Sequence, residues 1–251
     1  MNRTLDQVKV SRATQNKFDF RLGDYINQSF KIFGDNWLQF ALFTLVSAII
    51  SILSVVTIIG PYLVMFPLQM GYGHVVDKIE NGESFEFNDF FKGFEKWTRF
   101  IPFFLLMLGF SLLLMIPFVL LMGGFGLLVN ENESFAPLFS LSIFAILPLF
   151  IIIGILLSVV TFFTPYIIYY GNYGVIDSIK LSYKIGMKNF WYILLTVLLY
   201  SILSQIGAYI CFVGILATFP IAQIMAYLLV KDFLLTDDQK TEIDLLGTNQ
   251  E

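Results

Sequence analysis

The sequence predicts an all-α, polytopic membrane protein with six transmembrane helices arranged as three hairpins, each preceded by an amphipathic interfacial helix. Three observations carry this prediction. Of 251 residues, 57% are hydrophobic and only 14% charged, and the mean hydropathy of +0.76 lies outside the range of soluble domains. Six apolar runs follow one another, most of them near the roughly 20 residues a helical crossing needs. All 15 lysines and arginines fall between those runs rather than within them. No stretch remains for a soluble catalytic domain.

Residues 1–20 are polar, carry Arg3, Lys9, Arg12 and Lys17, and read as a flexible cytoplasmic arm. They contain no compact apolar core behind a cleavage site, so the first span is expected to target the chain. In GDYINQSFKIFGDNW, residues 23–37, Ile26, Phe30, Phe33 and Trp37 share one helical face behind Asp24, a candidate cap. That pattern predicts a helix lying in the headgroup zone with its aromatic rings as anchors.

The first hairpin is expected from spans Trp37–Ile59 and Pro61–Val76, with Ile59–Gly60–Pro61 ending one helix and opening the next. Asn88 or Asp89 would cap a second interfacial helix in FNDFFKGFEKW, residues 87–97. Its Phe90, Phe94 and Trp97 face lipid, and Asp89, Lys92, Glu95, Lys96 and Arg99 populate much of the opposite surface. Spans Phe100–Met122 and Leu138–Tyr166 follow, the first closed by Gly123–Gly124. A third interfacial helix, with Ile179, Tyr183 and Phe190 behind Asp177, precedes spans Phe190–Phe212 and Val213–Val230. Residues 21–233 then form one integral domain, and 234–251 a flexible cytoplasmic tail.

Laid over each other without a gap, residues 24–77 and 177–230 align Asp24 with Asp177, Ser29 with Ser182, Asn36 with Asn189, Ser51 with Ser204 and Pro67 with Pro220. This register predicts an internal parallel repeat, unlike the inverted repeats of many secondary transporters. With both termini cytoplasmic, every lysine and arginine lies inside, and the outer loop near Asn130 offers Glu131 and Glu133 instead. The Asn132–Glu133–Ser134 triplet there matches a glycosylation sequon, for which chance is the simpler explanation.

Candidate chemistry is sparse. No Asp, Glu, Lys or Arg lies in the hydrophobic centre of any expected span, which disfavours a proton-coupled pump. His74 and Asp77 make an incomplete metal site, and the lone Cys211 excludes an intrachain disulfide; an interfacial histidine is the simpler reading. Asp77, Glu80, Glu83, Glu86 and Asp89 read as a solvated inner loop. Gln69, Gln205 and Gln223, with Pro67 and Pro220, mark the places where buried polarity joins helices or lines a path. The stripe Ser47, Ser51 and Ser54 permits close helix association or, less simply, a hydroxyl-lined route. No metal, cofactor or nucleic-acid partner is expected. Membrane lipids are, with a protein partner or a second copy as a further possibility.

The motifs SFKIFGDNWLQF (29–40), MFPLQMGYG (65–73) and NGESFEFNDFFKGF (81–94), with a second copy running through Pro220, carry a resemblance. The chain resembles poorly characterised bacterial six-span proteins related to the membrane domain found with some glycerophosphodiester phosphodiesterases. The resemblance implies a bacterial inner-membrane location and is silent on activity. The leading expectation is a non-enzymatic scaffold or modulator of a membrane complex; the alternative is a small-molecule or lipid transporter with a weakly polar path near Pro67, Gln69, Pro220 and Gln223.

Overall fold

The computed structural model describes residues 3–15, 18–57, 59–131, 136–209 and 213–236. The described fold is all-α. Its helices are α1 (Gln7–Thr14), α2 (Leu22–Asp35), α3 (Trp37–Ser54), α4 (Gly60–Glu80), α5 (Ile101–Glu131), α6 (Ala136–Thr161), α7 (Thr164–Tyr170), α8 (Val175–Lys188), α9 (Phe190–Tyr209) and α10 (Ile215–Leu234), with a 3-10 segment at Phe87–Phe100. Cys211, the 132–134 sequon with Glu133, and most of the expected tail lie outside the described residues.

The six-span, three-hairpin scheme is not what forms. Among the described residues five helical stretches are long and apolar enough to cross a membrane: Trp37–Ser54, Phe87–Leu120, Ile146–Tyr170, Phe190–Tyr209 and Ile215–Leu234. The expected second span is the exception. It becomes α4, which carries Gln69, His74, Asp77, Lys78 and Glu80 and buries Pro67, Leu68, Met70, Gly71, Tyr72, Gly73, Val75, Val76 and Asp77 against protein. A helix surrounded by protein does not have to satisfy lipid, so its composition departs from that of the spans. The chain is nonetheless a multi-pass membrane protein.

The chain divides into two compact units, Met1–Phe100 with Val159–Glu251, and Ile101–Ser158. In the second unit, α5 and most of α6 expose Leu112, Leu113, Ile116, Val119, Leu147 and Ile151, as lipid-facing helices must. Ring contact between Phe118 and Phe150, with centroids 5.9 Å apart, joins the two helices. Helix α5 passes through Gly123 and Gly124 to Glu131, although the pair was expected to stop it. In hydrocarbon an interrupted helix leaves main-chain groups unpaired, and this outweighs glycine's weak preference for ending helices.

In the first unit α10 is the central helix, packed on α9, α2, α3, α4 and α1. Within its apolar window 61% of residues are buried, against 22% in α3 and α9, which separates a core helix from two peripheral ones. Residues expected as a flexible arm hold α1, capped by Asp6 Oδ1 accepting from Val8 N at 2.8 Å. The arm is tied to the end of α10: Asp6 N donates to Leu234 O at 2.8 Å, and Leu5 bridges Leu235.

The second interfacial helix is also revised. Phe87–Phe100 is 3-10 rather than α, with Lys96 outside helical geometry at φ −117°. It packs backbone to backbone on α4. A Cβ on Gly93 would sit 1.9 Å from Pro67 O, and one on Gly71 equally close to Phe90 O, so only glycine admits this approach. Phe90, expected to face lipid, is fully buried, 4.4 Å from the Phe43 ring and 5.3 Å from that of Phe40. Such pairs contribute about 0.5–1.5 kcal/mol each beyond area burial. Phe94 is half-buried and Trp97 exposed.

Helices α2 and α8 lie where amphipathic helices were expected. The buried side of α2 is Tyr25, Ser29 and Ile32; Phe30 and Trp37 are exposed and Phe33 half-buried. On α8 the buried side is Ser178, Ser182, Ile185 and Gly186, and Tyr183 is exposed. Asp24 and Asp177 sit in the first turns, not at the caps, which fall on Arg21 and Gly174. The expected fourth span breaks after Thr161, and α7 restarts with Pro165 in its first turn. Ser182 bridges that break, accepting from Phe163 N at 3.2 Å and donating to Val160 O at 2.6 Å.

Candidate functional site

Where α3, α4, α9 and α10 diverge they enclose a cavity of about 330 Å³, all of it within the first unit. Its position follows from the small side chains of α3. Ser47, Ala48 and Ser51 occupy successive places on one face and leave room that larger residues would fill. Leu68, Phe219 and Ile215 make the apolar floor, and the exposed Ala48 and Met65 form the rim.

Polar groups enter the wall at a few points. Gln69 Nε2 donates to Tyr166 Oη at 3.0 Å, and Gln223 Nε2 to Tyr200 Oη at 2.8 Å. Thr44 Oγ1 lies 2.8 Å from Tyr72 Oη while donating to Phe40 O. Gln223 is 5% exposed, and its Oε1 has no hydrogen-bond partner. Because one end of the amide is held by Tyr200, turning the group over would leave the nitrogen unpaired instead. A buried polar atom of this kind costs about 1–3 kcal/mol until something bonds to it. Among the described residues no Asp, Glu, Lys, Arg or His lines the cavity, so its polar wall is made of amides and hydroxyls alone.

The structure brings together Gln69 and Gln223, with Ser47 and Ser51. Pro67 and Pro220 are buried inside α4 and α10 beside this wall but do not line it. Gln205 is exposed and turns back onto its own helix, donating to Ser201 O at 3.2 Å. Tyr72, Tyr166 and Tyr200 escaped sequence reasoning because tyrosines within apolar runs look like packing residues. The signal was their hydroxyls, which need partners when buried.

A second feature lies toward the chain ends. Asp77 and Asp89, read as members of a solvated loop, are 8% and 6% exposed. Asp89 is held by Lys78 at 2.7 Å, Lys92 at 2.8 Å and the Glu86 amide at 2.8 Å. Asp77 Oδ1 lies 2.6 Å from Arg3 Nε, an ion pair by distance, and Tyr227 Oη donates to its Oδ2. Lys231 pairs with Glu80 at 2.7 Å, and Tyr25 donates to Asp232 at 2.6 Å. Burial pushes the Asp77 carboxyl up to about 6, against the opposing pull of Arg3 and the Tyr227 hydrogen bond. Burial also lowers the pKa of His74, helped by Lys92, and its Nε2 has no hydrogen-bond partner. No metal-ligand cluster forms around it among the described residues.

Comparison with known protein-family models, with curated proteins and with solved structures finds no match for this chain.

Proposed function

We propose that this membrane protein binds a small, neutral, largely apolar molecule drawn from the surrounding lipid, and that it acts as a transporter or carrier of that molecule rather than as a scaffold. One observation carries the reading: Gln223, nine-tenths buried, lines a mostly apolar cavity while its amide oxygen has no hydrogen-bond partner. An apolar body would fill the space, and one hydroxyl or carbonyl would satisfy the amide, the usual economy of a small-molecule pocket. The volume lies at the lower end for such sites.

The exposed leucines and isoleucines of α3, α5 and α9 require only lipid, so nothing in them favours a protein partner. The lysine and arginine distribution supports a cytoplasmic amino terminus. The aligned segments 24–77 and 177–230 support two parallel copies, since each overlaps a 14-residue helix, a longer helix and one with a proline inside it. A bacterial inner-membrane location and kinship with the phosphodiesterase-associated membrane domain rest on the quoted motifs alone.

The test is native mass spectrometry of protein extracted gently from its own membrane, beside Gln223→Leu. A defined small molecule retained by the native protein and lost from the variant is expected. Retention of the same molecule by both, or a reproducible protein partner with no small molecule, would overturn the proposal.

A further inference from the structure

Away from that cavity, a second hollow of about 440 Å³ lies between the amino-terminal arm, the 3-10 segment and the loop after α7. Among the described residues its wall holds Arg3, Lys96 and Arg99 and no acidic side chain. Arg3 is matched by Asp77. Among the described residues Lys96 and Arg99 form no ion pair with a carboxylate, Glu95 being the nearest acid to act on Lys96: Lys96 Nζ donates to Tyr169 O at 3.2 Å and lies 4.8 Å from the Tyr169 ring centre, and Arg99 Nη1 donates to Gly171 O at 3.1 Å. Nearby Lys78, Lys92 and Lys231 each meet a carboxylate within 2.8 Å. A main-chain carbonyl satisfies an N–H but cancels no charge, so two positive charges remain on this wall.

Capping of the last carbonyls of α7 accounts for one donor from each side chain. It leaves the rest of the Arg99 guanidinium, whose planar fork matches the oxygens of a phosphate. The exposed Asn172 adds an amide at the rim. Depth in the membrane points the same way. From Ile101 to Asn130 the sequence holds no Asp, Glu, Lys or Arg, so Lys96 and Arg99 sit where an apolar crossing meets the headgroup layer. Anionic phosphates are concentrated there.

We infer that Lys96 and Arg99, with Asn172 at the rim, form a binding site for a phosphate-bearing anion, either the headgroup of an anionic phospholipid or free phosphate. The site shares no lining residue with the Gln223 cavity, and neither proposal depends on the other.

The experiment measures retention of phosphatidylglycerol by native mass spectrometry and of inorganic phosphate by equilibrium dialysis, on full-length protein. Compared are the native chain, Lys96→Gln with Arg99→Gln, and a charge-matched control, Lys184→Gln with Lys188→Gln. Loss of two charge-assisted contacts is expected to weaken binding by about tenfold or more, with the control within about twofold. Asn172→Asp, at an exposed position that leaves the fold intact, places a negative charge on the rim and is expected to weaken binding in the same direction. Retention of lipid alone identifies a headgroup site, and retention of phosphate that lipid displaces identifies the shared anion. Equal losses in the charge pair and its control, or no retention of either probe by the native chain, would overturn the inference.

Discussion

At the scale of single residues the buried pair of Asp77 and Arg3 has the clearest physical consequence. The folded pKa of Asp77, about 6, lies above the ordinary carboxyl value of 3.8. The folded state therefore binds the proton more tightly, and the contribution to stability is full at low pH and declines as pH rises through about 6. That difference corresponds to about 3 kcal/mol. Thermal unfolding in detergent should accordingly show stability falling between pH 4 and 7. In Arg3→Met the carboxylate loses its counter-charge, so the decline should extend above pH 7 and stability at pH 7.5 should drop by about 3 kcal/mol. A pH profile unchanged by this substitution would show that Arg3 does not hold Asp77. Neither residue was legible as a pair, because nothing local in the sequence links position 3 to position 77. His74 was legible as an isolated histidine, and the fold gives it no metal partner among the described residues.

At the scale of elements, long apolar runs located α3, α5, α6, α9 and α10, because a run that must satisfy lipid has to be continuously apolar, but they missed ends: α5 runs to Glu131 rather than Met122, and α6 stops at Thr161 rather than Tyr166. The same rule misread α4, whose neighbours are protein. Glycines supply the clue: Gly71 of α4 and Gly93 of the 3-10 segment mark where two backbones touch. Gly93→Val should detach the Phe87–Phe100 segment from α4 and cost about 2–4 kcal/mol, within the range of overpacking and strain effects. Protease sensitivity between Asn81 and Phe87 would report it, and a variant as resistant as the native chain would contradict the close contact. A lipid-soluble carbene reagent should label Ile49 and Ile52 of α3 and spare Met70 and Tyr72 of α4. Strong labelling of those two α4 residues would restore α4 as a lipid-facing span. The 3-10 segment was read as an amphipathic helix because its aromatics do recur at helical spacing. Phe90 packs into the Phe40–Phe43–Tyr72 cluster instead, and only tertiary contact decides between those outcomes.

At the scale of the whole molecule, membrane character was legible in composition alone, and the polar constituents of the cavity were half legible. Gln69 and Gln223 stood out as amides in hydrocarbon. Their partners Tyr166 and Tyr200 did not, and Gln205, equally prominent in the sequence, turns to its own helix. What separates the three glutamines is the face each occupies once α3, α4, α9 and α10 are packed, which periodicity within one helix does not specify. The account therefore rests on Gln223 and on what bonds to it. The most direct measurement is a high-resolution map of the protein purified in a disc of its native membrane lipids. Density that is not protein, within hydrogen-bond distance of the Gln223 amide and extending between Ser47 and Phe219, is the expected result. A collapsed cavity, with Gln223 bonded on both ends to protein side chains, would contradict the claim that this protein holds a small molecule there.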